Sequence, residues 1–479
     1  METGEWVSAL GRYAERLHAR AGPGHHVVSP LGAWMVVALC APVAGDEQAR
    51  GELAGVLGTD PVPAAAFAAR LLAGPHPLVA AGAGVWVRPA RETTRIRQWR
   101  AGLPAVAGTG DIPTQEEIDR WAAERTLGLI ERFPIELTSD VVCLLASALA
   151  SRVSWEVPFD VADAAAPGPG PWPARLRRVL RPPRGDPRHR QYLAGTDRAG
   201  TVGVHLAGAR GGLLVGSVIA AGQAVPASDV LAVAEKIVTA EARQAGSVTR
   251  LPLFDLPLGD APVWSIGEQQ ADTAAPGGRE EHVNCVLPAW SAQTDLDLRD
   301  DEWLGFAAAA RALAEALELG HWRYEARQAA MARYSAVGFE AATVTGLAVA
   351  ISARVSRPGR RRVATVRFAH PFAVVAAAFD DRPARHASPV PSAWHGLPVF
   401  SAWVSEPTDA DPPPSGSSRR SPNDPARPSR ACSAVSPLRR GGHTPRKAWP
   451  PDRQQSAPAT ELLDRRQTIP DHEAGAASA

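Results

Sequence analysis

The run VGFEAATVTGLAVAISARVSRPGRRRVATVRF, residues 337–368, decides how the rest of the chain is read. Before it, Gln328–Tyr334 reads as a strand, and Gly338 ends that strand-like run. Small and β-branched residues follow, Ala341, Ala342, Thr343, Val344 and Thr345, and these fit a strand as well. After Ile351, Ser352, Ala353 and Arg354 comes a basic stretch with Pro and Gly that reaches Arg362. A connection of more than about 15 residues without evident structure is uncommon in a compact domain, and it is usually functional or disordered. This one opens with strand-forming residues.

Working outward, helical and strand patterns alternate irregularly. Val7–Ala21 is an amphipathic helix, and Leu31–Cys40 is a mostly apolar one entered at Ser29-Pro30, a helix start signal. Glu116–Arg132 reads as a helix whose Ile118, Trp121, Ala122, Leu127 and Ile130 share a face. Val141–Trp155 suits a central strand buried on both faces. Leu287–Leu298 alternates like a strand, Trp303–Leu319 is helical, and Val363–Ala378 and Leu397–Val404 are strand-like. The fold class is α+β with at least one large sheet. Residues 1–407 read as one folded domain. Residues 408–479, rich in Pro, Arg, Ser and Ala without apolar periodicity, read as a disordered low-complexity tail or a gene-model artefact.

Composition narrows the function. The 479 residues carry 51 basic and 50 acidic side chains, a net charge of +1, which argues against nucleic-acid binding. Two uncharged stretches, Val27–Gly45 and Gly211–Ser228, are broken by Gly, Ser and Pro and read as buried core rather than membrane spans. The amino terminus lacks the apolar core of a secretion signal, so the expected location is cytoplasmic, with extracellular as the alternative. Cys40, Cys143, Cys285 and Cys432 show no zinc spacing.

Other clusters are weighed and set aside. Arg175, Arg177, Arg178, Arg181, Arg184, Arg188 and Arg190 read as a solvated loop rather than a polyanion site. Asp295, Asp297, Asp300, Asp301 and Glu302 look at first like a calcium loop, but Arg299 stands where an oxygen ligand is wanted. They read as the acidic start of a helix. His25-His26 is a weak metal candidate, because adjacent histidines point apart. No GxSxG, GxxxxGK[ST], GxGxxG or HExxH motif is present, so no enzyme, cofactor or metal is expected.

Seven blocks then agree in order and spacing with one family. Residues 337–368 resemble the hinge and reactive loop of a serpin, where a Gly precedes a Thr-Glu-Ala-Ala-Ala type run. VVSPLGAWMVVALCAPVAGDEQARGELAGVLG (27–58) is similar to the serpin block beginning Phe-Ser-Pro. IDRWAAERTLGLIERF (118–133) is similar to the helix carrying Asn-x-Trp-Val-x-x-x-Thr-x-Gly-x-Ile. LASALASRVSWEVPF (145–159), LPAWSAQTDLDL (287–298), FAHPFAVVAAAF (368–379) and GLPVFSAWVSEP (396–407) match four strands of that family. The resemblance covers nearly all of 1–407 and is to a bacterial, intracellular-type member.

The resemblance implies three β-sheets with about nine helices and an exposed reactive loop. It also implies a monomeric suicide inhibitor of serine or cysteine proteases, with no catalytic residue of its own. The attacked loop would insert into the main sheet as an extra strand. The hinge is then Gly338, Phe339, Glu340, Ala341, Ala342, Thr343, Val344 and Thr345. With Glu340 facing solvent, Phe339, Ala341, Thr343, Thr345 and Leu347 face inward. The reactive bond is Ser352–Ala353, suited to a subtilisin- or elastase-like protease, with Arg354–Val355 as a register for a trypsin-like one. Ser29, Ser147 and Gln328 fall on the sheet-opening region, and Trp155 on the family's Trp beneath the point where the loop enters. Departures are Ala336 for a usual Glu, Gln328 for a usual His, His26 for a usual Asn, and Phe339 for a small residue. They leave a non-inhibitory serpin-fold binding protein as the alternative. Phe339 is expected to overpack the sheet interior and slow insertion.

Overall fold

The computed structural model describes residues 3–151, 153–164, 172, 175–245, 248–299, 301–338, 357–380 and 392–410. Eight α-helices lie among them: α1 (Thr3–Ala21), α2 (Pro30–Cys40), α3 (Glu47–Leu57), α4 (Pro61–Ala73), α5 (Thr94–Ala101), α6 (Gln115–Arg125), α7 (Ala227–Arg243) and α8 (Phe306–Ala316). The strands up to the middle of the chain are β1 (His26–Val28), β2 (Ala80–Val87), β3 (Gly108–Gly110), β4 (Cys143–Ala150), β5 (Asp160–Asp163), β6 (Arg178–Arg181), β7 (His189–Thr196), β8 (Gly200–Ala209) and β9 (Leu213–Ala220). The remainder are β10 (Gly259–Asp260), β11 (Trp264–Thr273), β12 (Arg279–Val286), β13 (Trp290–Asp297), β14 (Arg327–Tyr334), β15 (Arg357–Arg367), β16 (Phe372–Ala378) and β17 (Pro398–Val404).

Local sequence explains the two helices that matter most for the site. The α2 run PLGAWMVVALC is apolar on every side, which demands burial all round, and nearly all of it is buried. Ser29 caps its start: its backbone is extended and its Oγ accepts from Gly32 N at 3.2 Å. Helix α6 opens with a capping box between Thr114 and Glu117. It ends at Arg125, short of the expected Arg132. Thr126 Oγ1 turns back onto the Ala122 carbonyl and accepts from Ile130 N. Leu127 and Gly128 adopt left-handed backbone with φ 58° and 75°. Three consecutive departures of this kind stop a helix whatever the apolar spacing beyond it.

A six-stranded antiparallel sheet runs β1-β17-β16-β9-β8-β7. Helix α7 packs its Val230, Ala234, Ile237 and Val238 on one face, and the main core covers the other. A four-stranded sheet runs β10-β11-β15-β12, with β12 and β15 parallel. The β5–β6 hairpin joins it through paired Leu180–Leu287 backbone bonds of 2.8 and 3.0 Å. The remaining strands form two pieces, β3-β2-β4 and β13-β14, which flank one gap.

The expected strand over Val363–Ala378 is two strands in different sheets, divided at Phe368–Pro371. The basic stretch ending at Arg362 is strand rather than loop, for an electrostatic reason. Arg362 stands opposite Glu268 and Arg361 opposite Glu280, with N–O distances of 2.7 and 2.8 Å. Opposite charges directly across a ladder favour the pairing. Folded structure also passes residue 407: Thr408 bridges Ala289, Asp409 accepts from the Arg177 and Arg178 amides, and Ala410 is fully buried. Residues 411–479 lie outside the described part. No described helix is long and apolar enough to cross a membrane.

Candidate functional site

Strand β4 pairs with β2 along one edge, from Cys143↔Val87 to Ala150↔Ala80. Strand β14 pairs with β13 along one edge, from Arg327↔Asp297 to Tyr334↔Trp290. Among the described residues the other edges of β4 and β14 pair with no strand. Between them lies a cavity of about 320 Å³ lined by Leu145, Ser147, Leu149, Ala326, Gln328 and their neighbours. Unpaired edges are strand-pairing templates, and folded proteins normally cover or blunt them. Here α2 lies on the inner face, where Ser147 Oγ donates to Gly32 O at 2.7 Å. On the outer face Leu144 and Ala146 cluster with Trp86 and with Ile118 of α6.

The first end of the gap is held by a cluster around Ser29. Its amide donates to Gln328 Oε1 at 3.0 Å, and its carbonyl accepts from Gln328 Nε2 at 2.9 Å. Ser29 Oγ donates to Val399 O at 3.0 Å. Gln328 thus clamps the cap of α2 to the start of β14, and Ser147 ties the same helix to β4. A carboxamide carries a donor and an acceptor side by side, which this two-way clamp requires.

The far end is held by Trp155, whose Nε1 donates to Ser335 O at 2.9 Å, and by Phe159, whose amide donates to Ala336 O at 2.8 Å. Since Trp155 follows β4 and Ser335 follows β14, the two strands run side by side in the same direction. Gly338 then forms an antiparallel bridge with Ser154, so the chain has already reversed there. Its φ of 83° is left-handed backbone, and an added Cβ would meet the Val153 carbonyl and lie 2.9 Å from Ser154 Cα. Only glycine satisfies both conditions. Of the residues expected to act, Gly338, Ser29, Ser147, Gln328 and Trp155 all border this gap. Phe339 through Thr345, and Ser352, Ala353, Arg354 and Val355, lie outside the described residues.

Beside Phe159 sits a buried pair missed by the sequence reading. His189 Nδ1 and His205 Nε2 are 3.1 Å apart, and His189 Nε2 donates to Val157 O at 2.8 Å. Burial pushes both imidazoles down. A second chain links His26 Nε2 to His18 Nδ1 at 2.8 Å and His18 Nε2 to Ser401 Oγ at 2.7 Å. Burial, then the neighbouring His26, pushes His18 down to about 3. Only spacing of two on a strand could have flagged such residues as inward, and singly they carry little signal. The acidic run is structural: Asp301 accepts from Trp303 N at the start of a short turn, and Asp297 and Asp295 pair with Arg299 and Arg327. Burial raises the thiols of Cys40 and Cys285 and holds Cys143 at about 12, so these thiols stay protonated and poorly nucleophilic.

No family model and no curated protein sequence matches the chain. Solved structures do. Serpin48 of the insect Tenebrio molitor is 13% identical with a TM-score of 0.52, over 85% of this chain and 100% of that one. The thermophilic serpin tengpin in its native state is 14% identical with a TM-score of 0.51, over 85% and 95%. Human thyroxine-binding globulin, solved in complex with thyroxine, is 12% identical with a TM-score of 0.54, over 84% and 98%. At such identities the likeness speaks for the fold alone. The chain has the serpin fold.

Proposed function

We propose that this protein is a suicide inhibitor of serine or cysteine proteases, sprung by cleavage of the segment after Gly338. The observation that carries the reading is the unpaired gap between β4 and β14, with the chain reversed at its head. A strand continuing from Gly338 would run antiparallel to both edges and could pair with both. Continued past the Ser154–Gly338 bridge, that register would set Ala341 against Ser151, Thr343 against Leu149 and Thr345 against Ser147. Cross-strand partners share a face, and Ser147 faces α2. The same alternation was reached above from Glu340 alone.

In this reading a protease attacks Ser352–Ala353, or Arg354–Val355 in the other register, and forms an acyl-enzyme. The freed strand then anneals into the gap before water releases the acyl group. The driving force is the ladder that β4 and β14 lack. Incubation with subtilisin-, elastase- and trypsin-like proteases should yield a covalent complex that survives denaturing electrophoresis, with the released peptide starting at Ala353 or Val355. Clean cleavage without complex, across all three, overturns inhibition. That outcome favours the second reading, a non-inhibitory serpin-fold binding protein, for which Ala336 and Gln328 speak as departures from the inhibitory pattern.

A further inference from the structure

We infer that a second cavity, at the head of the gap, is a receptor for the phenyl ring of Phe339. The inference rests on strand insertion as proposed above. It specifies which residue of the inserting segment is recognised and where.

The cavity holds about 80 Å³ and is bounded by Val153 and Trp155 after β4, by Ala332 and Tyr334 of β14, and by Val215 and Val374 of the six-stranded sheet. It therefore lies on the inner side of the gap, immediately beyond the last unpaired residues of β4. One register points Phe339 into it. Continued from the Ser154–Gly338 bridge, an inserting strand would set Phe339 opposite Val153, one of its walls. Across the gap Tyr334 and Ala332 both face the core, on the same inner side.

The chemistry suits an aromatic ring. The walls are almost wholly apolar, and the space equals several waters at about 10–15 Å³ each. Two polar atoms on the walls, Trp290 Nε1 and Ser151 Oγ, have no hydrogen-bond partner among the described residues, and Trp290 is only 3% exposed. An aromatic face is one of the acceptors an indole N–H can use, and Trp290 already stacks on Tyr334 with centroids 5.9 Å apart. Alanine at 332 makes the space. In this inference the ring anchors the first inserted residue, in place of the overpacking expected from its size.

The test uses the full-length protein and a synthetic peptide of residues 339–347, FEAATVTGL, as a strand that can enter the gap. The peptide should bind and raise the melting temperature. The same peptide with alanine in place of Phe339 should bind roughly tenfold or more weakly. Ala332→Leu, which fills the cavity, should erase that preference. Equal or tighter binding of the alanine peptide to the wild-type protein overturns the assignment. In parallel, wild-type protein and Phe339→Ala are cut at the loop and melted. A larger stability gain for the wild type supports the cavity's role, and equal gains leave insertion standing but remove the cavity. No gain in either, with no peptide bound, overturns strand insertion itself and this inference with it.

Discussion

The six-stranded sheet and the divided pair β4/β14 are built from the same chain under opposite rules. In the first, β9 is LLVGSVIA with every residue buried, and each interior strand has a partner on both sides. In the second, CLLASALA and RQAAMARY place alanine at Ala146, Ala148 and Ala150 and at Ala329, Ala330 and Ala332. Large aliphatic side chains on both faces lock a strand by burying apolar area, at about 25 cal/mol per Å². Alanine alone does not hold a sheet open, because β16, FAVVAAA, is paired on both sides. What sets β4 and β14 apart is that, among the described residues, each pairs along one edge only and the two are joined by point contacts at the ends of the gap.

The sharpest way to break this comparison is to close the open sheet. Cutting the loop near Ser352 lets one strand pair with both edges, adding several hydrogen bonds worth about 0.5–1.5 kcal/mol each plus buried area. At about 1 °C per kcal/mol for roughly 400 folded residues, from about 2.1 cal/mol/K per residue, the melting temperature should rise by roughly 5 °C or more. Calorimetry of intact and cut protein measures it. An unchanged melting point would mean that the edges cannot be paired.

Acid should act on the closed sheet rather than the open one, because His26, His189 and His205 lie on its strands and His18 leans on its Ser401. Their folded pKa values are depressed by burial, so the unfolded chain takes up protons first. Their contribution is intact above about pH 6.5 and falls below it, by about 1.4 kcal/mol per pH unit for each histidine that stays neutral. For His18 the fall continues toward its folded value of about 3. Melting curves between pH 7 and pH 5 should show a steep loss, and His18→Gln should flatten it. A profile unchanged over that window would show the rings to be charged already.

A smaller effect sharpens the role of the first end. Gln328→Leu leaves the Ser29 amide without its partner, a cost of about 1–3 kcal/mol, while the Ser29 carbonyl keeps Ala33 N, and it loosens the grip of α2 on β14. Denaturant unfolding should register that loss. The rate at which peptide 339–347 anneals should rise, because the clamp crosses the path of the strand. A slower rate would make Gln328 part of the receiving surface instead of a latch.

Much of this was readable from residues. Ser29-Pro30 before an all-apolar run dictates a capped, buried helix, and Gly338 marks the end of the strand before it, though the reversal there shows only in its bridge to Ser154. Helix α6 was legible at its start, where the expected Glu116 falls one residue from the observed Gln115, but not at its end. Apolar spacing past Arg125 mimics helix, while the stop depends on one threonine hydroxyl and two left-handed residues. The strand at Arg357–Arg362 was hidden for a different reason: a run of arginines looks like loop until the facing glutamates of β11 and β12 are in place.

Order and spacing of blocks along the chain were thus enough to name the fold class, because caps, turns and periodicity are local. What only the tertiary structure decided is non-local. Whether β4 and β14 pair, which direction each runs, and that Gln328 spans to Ser29 depend on residues roughly 300 positions apart. The cavity beside Val153 and Tyr334 depends on three separate elements closing around one space. Side-chain volume at one position carries no information about the room left for it by the others.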